Sequence, residues 1–334
     1  MAQTIPNGIS ENGKDLLLIC GESGVALALV QAKSNRNLYL VEISTKSEYA
    51  SGVPTSQLLP ANTAMGAVTL WVADLDAMIR YYRDGVGLEL ITHKENSASL
   101  GYKSNEIVIL EFKPEMKFAA PHEAGLFHTA ILFPTESSLA RAVASVARQY
   151  PGTFTGSADH LVSKAFYFND PEGNGVELYW DRDRSEWSWT HGSIEMDTIF
   201  LDPNDFLKEH LLENQEDSEK KVGHVHLSVG SIDAAEEFYV KMLGFEKTLN
   251  WGGSALFVSA GGYHHHMAMN TWRSKGAGKR QLALGLGNVE ILLDSQDQVL
   301  ETKERLDFYK LDTLFDEMLA KVQDPWGNTI SLTF

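Results

Sequence analysis

One cysteine in 334 residues, Cys20, is the first constraint. It excludes an intramolecular disulfide framework and a Cys-rich zinc site. Within LLLIC it reads as a buried apolar residue, not a nucleophile. Basic residues are scarce: 28 Lys and Arg against 45 Asp and Glu leave a formal charge of −17, which argues against nucleic acid or anionic membrane as a partner. No apolar run reaches transmembrane length, and the N-terminus lacks a basic stretch followed by an apolar core. A soluble cytoplasmic protein is therefore expected. Low-complexity sequence is also missing; the nearest approach is the polar, acidic segment Glu213 to Lys221.

What is present is ample core material. A hydrophobic fraction of 43%, with 15 Phe, 11 Tyr and 7 Trp, fits a folded globular protein, and the length favours more than one domain. Leu16 to Cys20, Val25 to Gln31 and Leu38 to Ile43 read as short strands separated by GESG and KSNRN turns, followed by a loop at Gly52 to Pro60. Residues 1–63 thus form a β-rich extension with no legible chemistry.

From Ala64 a repeat begins. MGAVTLWVADLDAMIRYYRDGVGLEL reads as strand, cap, helix and loop, with Asp74 as N-cap and Leu75, Met78, Ile79 and Tyr82 at helical spacing. VGHVHLSVGSIDAAEEFYVKMLGFEK, from Val222, repeats it: Gly66, Tyr82 and Gly87 match Gly223, Tyr239 and Gly244 at one constant offset. DPEGNGVEL from Asp170 is echoed by DPWGNTISL from Asp324. Strand-then-helix patterns also start at Gly125 and Leu282. Four units of about fifty residues follow, near 64–114, 125–181, 222–271 and 281–334. None can bury its sheet alone, so the units must pair. The connector Asp181 to Lys221 holds Trp187, Trp189 and Met196, aromatic and apolar enough to pack on the body.

The stretch His160 to Glu177, HLVSKAFYFNDPEGNGVE, is a β-hairpin around a D-P-E-G-N-G turn. Glu177 falls inside its second strand. Val176, Leu178 and Trp180 share one face and Glu177 and Tyr179 the other. A carboxylate there is either solvent-facing or paired, because burying it alone is costly.

With DPEGNGVELYWDRDRSEW, SAGGYHHHMAMNTW and GHVHLSV on four strand–helix–strands units, residues 64–334 resemble the vicinal oxygen chelate superfamily, and within it the extradiol ring-cleaving dioxygenases of the catechol 2,3-dioxygenase type. The extradiol signature is matched at His160, Phe166, Tyr167, Asp170, Pro171, Gly173 and Glu177. The resemblance implies an α+β fold of four βαβββ modules in two curved mixed-sheet barrels: a first pair over 64–181, a connector over 182–221 and a second pair over 222–334. It implies metal ligands on the first strands of paired units and on one last strand. Those positions hold His128, Glu177 and His224, which puts the metal cup between modules two and three. Module one has Ala67 at the corresponding place, the first strand of module four has no histidine, and Ser331 stands where Glu177 stands, so modules one and four would form a metal-free pair. His226 shares a face with His224; the superfamily position favours His224 and leaves His226 a supporting place.

The resemblance further implies Fe(II), with Mn(II) as the alternative metal, and a catechol-type aromatic diol and O2 as substrates. His160 and Tyr167 match the residues that orient the catechol oxygens, and His265 matches the acid–base histidine. Strand alternation over Tyr263 to Asn270 would put His264 and His266 on the other face from His265. Tyr179, Trp180, Phe257 and Trp272 are candidates for an aromatic cavity lining, with core packing the competing role expected of most of them. Two rival readings share the fold: a glyoxalase-like divalent-metal isomerase or transferase, and a metal-free small-molecule binding protein. The first draws four protein ligands, yet module three shows histidines where its last-strand Glu would stand. The second lacks the ligand set. Symmetric self-association is left open.

Overall fold

In the computed structural model the described residues are 15–20, 26–31, 38–43, 58–212, 219–316 and 318–334. The chain divides into two compact units, Met1–Thr55 and Ser56–Phe334. In the first, Asp15–Cys20, Ala26–Gln31 and Leu38–Ile43 form a three-stranded antiparallel sheet. The intervening turns, the burial of Cys20 and most of the Gly52 to Pro60 loop lie outside the described residues, as does most of Glu213 to Lys221.

The second unit is built from four modules of four strands each. Module one has strands Ala64–Val72, Glu89–Lys94, Ser97–Tyr102 and Asn105–Phe112. Module two has Gly125–Leu132, Phe154–Asp159, Ser163–Asn169 and Gly175–Asp181. Module three has Lys221–Ser228, Glu246–Trp251, Ala255–Ser259 and Met267–Asn270. Module four has Gly285–Leu292, Leu314–Asp316, Leu319–Gln323 and Thr329–Thr333. In each module the first and fourth strands pair in parallel and the others antiparallel, which makes both sheets mixed. Modules two and three share one sheet, joined by their first strands; modules one and four share the other in the same way. The central strands are buried on both faces, as Val68, Leu70, Ala130, Ile131, Val225 and Leu227 show.

The helix of each module packs across its sheet, and the N-cap expected at Asp74 is present. Asp74 caps Leu75–Arg80 by accepting the Ala77 N–H, and Thr135 with Ser138 forms a capping box on Glu136–Gln149. The repeat persists at atomic detail. Val86 N–H donates to Tyr81 O and Leu243 N–H to Phe238 O, so the helices of modules one and three end in the same wide i→i+5 turn.

The two sequence echoes touch each other. Tyr82 OH of module one donates to Asp170 Oδ2 of module two at 3.1 Å, and Tyr239 OH of module three donates to Asp324 Oδ2 of module four at 3.0 Å. Each aspartate also gathers its own turn: Asp170 accepts from Glu172 N, Asn174 N and Asn174 Nδ2, and Asp324 accepts from Trp326 N, Asn328 N and Asn328 Nδ2. Sheet pairing therefore joins two to three and one to four, while these clasps join one to two and three to four.

Trp187 of the connector is buried against Val162, Ile194 and Tyr263, with Met196 packed beside them, whereas Trp189 is largely exposed. Helix Pro203–His210, capped by Asp202, lays Phe206 on Phe166 with ring centroids 4.8 Å apart. No described helix is long and apolar enough to cross a membrane.

Tyr82→Phe and Tyr239→Phe each leave a buried carboxylate one donor short. Each should lower stability by about 1–2 kcal/mol in urea unfolding, and the double variant should show additive losses because the clasps share no partner.

Candidate metal centre

The register of the two–three sheet sets out two adjacent rows of side chains on one face. The first runs Tyr167, Glu177, Ala130, His224 across four neighbouring strands. The second runs His128, His226, Ala268, Phe257. His128, Glu177 and His224 are thereby brought together, each buried and each offering a ligand atom within 4.8 Å of the others. His128 Nε2 lies 2.9 Å from Glu177 Oε2 and His224 Nε2 lies 3.1 Å from the same oxygen. His128 Nε2, beside the carboxylate, has no partner in hydrogen-bond geometry, and His224 Nδ1, on the other side of the ring from Glu177, has none at all, so two buried ring nitrogens are left unsatisfied.

The electrostatics suit a cation. Burial alone would raise the Glu177 carboxyl, but His224 and His128 override it and hold it well below the usual carboxylate range. Burial pushes His224 down despite Glu177, and pushes His226 and His265 well down, with neighbouring histidines adding to the effect. A His224 imidazole pushed toward neutrality beside an ionised carboxylate matches the protonation states that metal ligation requires. The residues therefore fit a divalent ion held by two nitrogens and one oxygen.

All six residues singled out in the sequence line one cavity of about 780 Å³. His160 Nδ1 meets Asp197 O at 2.7 Å and Nε2 meets Tyr167 OH at 2.7 Å. A carbonyl only accepts, so the proton sits on Nδ1 and Nε2 accepts from the Tyr167 hydroxyl. Burial, then the Glu177 charge, keeps that phenol protonated.

His265 lies against His224, the rings tilted by 51° with centroids 4.1 Å apart. Its Nδ1 meets His264 Nδ1 at 2.7 Å, and His264 Nε2 meets Asp181 Oδ1 at 2.9 Å. The same logic fixes the tautomers. His264 must donate through Nε2 to the carboxylate, so its Nδ1 accepts from His265, and the His265 Nε2 lone pair is left free. Tyr263 OH donates to Asp181 Oδ2 at 2.8 Å, and its oxygen is 2.7 Å from Tyr179 OH.

Two sequence expectations are corrected. The strand after the histidine triplet begins at Met267, so alternation does not govern residues 264–266: His264 reaches back to hold His265, while His266 accepts from Ala260 N. Module three carries Ala268, not a histidine, at the position matching Glu177, since Ala268 pairs with His226 as Glu177 pairs with Ala130, each two residues past its module's first-strand histidine. Of the four aromatic candidates Phe257 and Trp272 line the cavity; Tyr179 is buried behind His224 and Trp180 packs into the main core. Asp181 was missed, although the alternation Glu177, Tyr179, Asp181 along one strand places it on their face. The one–four sheet carries Asn288, Ser331 and Ala67 at the matching positions, with Ser331 Oγ bonded to Asn288 Oδ1 at 2.6 Å.

Paired βαβββ modules around a buried His–Glu–His cup define a vicinal oxygen chelate protein, and the family profile agrees: residues 64–178 and 221–332 match the Glyoxalase/Bleomycin resistance protein/Dioxygenase superfamily, to which the chain belongs. Among particular relatives, it is 32% identical over 276 residues to the catechol-2,3-dioxygenase of Bacillus subtilis strain 168, covering 79% of this chain and 94% of that one. Solved structures share the fold. A Bacillus subtilis protein assigned by inference as a dioxygenase superposes with a TM-score of 0.58 at 13% identity, covering 81% of this chain and 84% of the other. Glyoxalase I from Zea mays superposes with a TM-score of 0.52 at 15% identity, covering 81% and 92%.

The donor set predicts one divalent cation per chain. Metal analysis after dialysis should find it in the wild type, and Glu177→Ala should weaken binding by more than the roughly 10–100-fold typical of losing an outer partner.

Proposed function

We propose that the protein is an extradiol ring-cleaving dioxygenase that uses Fe(II), held by His128, Glu177 and His224, to insert both atoms of O2 into a catechol-type aromatic beside its vicinal diol. The observation that carries this reading is Ala268. A methyl group stands where a second carboxylate would complete a four-ligand, glyoxalase-type site. Two histidines and one carboxylate leave room for a chelating diol and for dioxygen. When bound, the ferrous ion supplies Lewis acidity toward the diol and a route for electrons from the ring to dioxygen.

The chain supplies the rest. Tyr167, its proton directed to His160, presents oxygen lone pairs that accept a hydroxyl of the bound diol and orient it. His265 Nε2 takes a diol proton as general base and returns it during ring opening. His264 and Asp181 fix its tautomer and stabilise the charge it acquires. Phe127, Trp251, Phe257 and Trp272 give the cavity apolar walls that limit water near the reacting ring.

Anaerobic reconstitution with Fe(II), then catechol, then air is the direct test. Oxygen uptake matched by a yellow ring-fission product is expected, with none from Glu177→Ala and a loss of about 10²–10⁴-fold in kcat for His265→Phe. Tight Fe(II) binding with no uptake across catechols and hydroquinones would overturn the reading in favour of a Lewis-acid isomerase.

A further inference from the structure

The cavity has a second polar end that diol chelation does not use. Arg280 lies in the segment between modules three and four. Its N–H donates to Trp326 O at 2.9 Å and its Nη1 to Asn328 Oδ1 at 3.2 Å, both within the DPWGN turn. The guanidinium is thereby turned toward the two–three cavity, whose wall it forms. A Cβ on Gly125 would sit 3.7 Å from Nη1. Gly125 opens the strand that carries His128 three residues on, which places the guanidinium about 10 Å from that ligand along the strand.

This cation is short of partners. Its remaining guanidinium N–H groups meet no acceptor among the described residues. Glu123 and Asp324 lie within electrostatic reach but not in ion-pair contact, and burial still outweighs them and lowers the guanidinium. Asp324 spends both oxygens on Tyr239, Trp326 and Asn328, and Glu123 accepts the Ala120 N–H. Glu172, in the same wall, holds the Ala73 and Asp74 N–H groups through Oε1. Arg280 is half-buried and its unmet donors open onto the cavity, where a carboxylate ligand would engage them through charge-assisted, bidentate contact. Room exists for one. At about 780 Å³ the cavity lies in the upper part of the roughly 300–1,000 Å³ range of drug-sized sites, more than a bare catechol fills. Arg273, exposed at the same cavity, adds positive charge on a chain of net −17.

We infer that Arg280 is a specificity-determining residue that pairs with a carboxylate carried on a short side chain of the aromatic diol. The inference rests on the dioxygenase reading, and it makes the preferred substrates acidic catechols rather than catechol itself.

The test compares 3-(3,4-dihydroxyphenyl)propanoate with its methyl ester, which differs by one charge. Under argon, quenching of the cavity tryptophans gives affinities without turnover. The acid should bind the wild type at least about tenfold more tightly than the ester; the difference should vanish in Arg280→Met and persist in part in Arg280→Lys. In air, the acid-to-ester ratio of kcat/KM should follow the same order. Equal binding of acid and ester by the wild type, or a preference that survives Arg280→Met, overturns the inference. The two readings fail differently. Cleavage of catechol and ester without preference for the acid removes the role of Arg280 and keeps the dioxygenase. Acid-selective binding with no cleavage of any diol does the reverse.

Discussion

The antiparallel pairing of Gly125–Leu132 with Lys221–Ser228 decides which side chains meet. With His226 opposite His128 and His224 opposite Ala130, one face of the shared sheet presents both first-strand histidines, and the parallel partner strand adds Glu177 in the row of Ala130. A one-residue slip of either strand would turn its ligand into the hydrophobic layer on the other side. The register is held in part by Gly223, which the ladder skips between Val222 and His224. A Cβ there would come within 1.7 Å of the Tyr179 hydroxyl, so glycine at this point lets the seam close over Tyr179. Gly66 in the other sheet admits the Glu290 side chain in the same way, which gives the Gly66/Gly223 repeat a packing cause.

The same seam creates the electrostatic demand that the site meets. Central strands are covered on both faces, so a carboxylate and three imidazoles placed on them lose most of their hydration. Two responses are open to such a group: it is neutralised, or it is paired. Burial pushes His224 and His226 toward neutrality, whereas Glu177 stays ionised and has two ring nitrogens and no Lys or Arg as its ion-pair partners among the described residues. A buried carboxylate whose partners are imidazoles rather than fixed cations is poorly compensated without a further positive charge. Burial thus favours a bound cation more directly than any one contact does.

Much of this was legible in the sequence, and the limits have physical causes. Period-two alternation placed Glu177 and Tyr179 on one face, and the constant offset between modules one and three identified strands, caps and helix ends together. The DPEGN and DPWGN turns announced themselves through residues that only turns use. Placing the ligands needed the family resemblance, because alternation gives a face but no partner strand. The HHH triplet was misread because its regular spacing imitates a strand, whereas the backbone turns there before Met267. Arg280 was not visible at all. It sits in an aperiodic connector, and its aim depends on the Trp326 and Asn328 acceptors supplied by a turn more than forty residues later.

The two ways of joining modules divide the labour. Sheet pairing makes the two–three face, which gathers His128, Glu177 and His224, and leaves the one–four face with Asn288, Ser331 and Ala67 in their places. The clasps run across that division: Tyr82 of the one–four sheet holds the turn that precedes the Glu177 strand, and Asp324 of the same sheet holds Tyr239 of module three. The cavity wall follows the clasps rather than the sheets, since Leu284, Gly285, Leu286 and Arg280 come to it from the module-four side. A module pair without ligands is therefore not idle duplication. It closes the open side of the cup, so the residues that bound the cavity there belong to a different sheet from His128, Glu177 and His224.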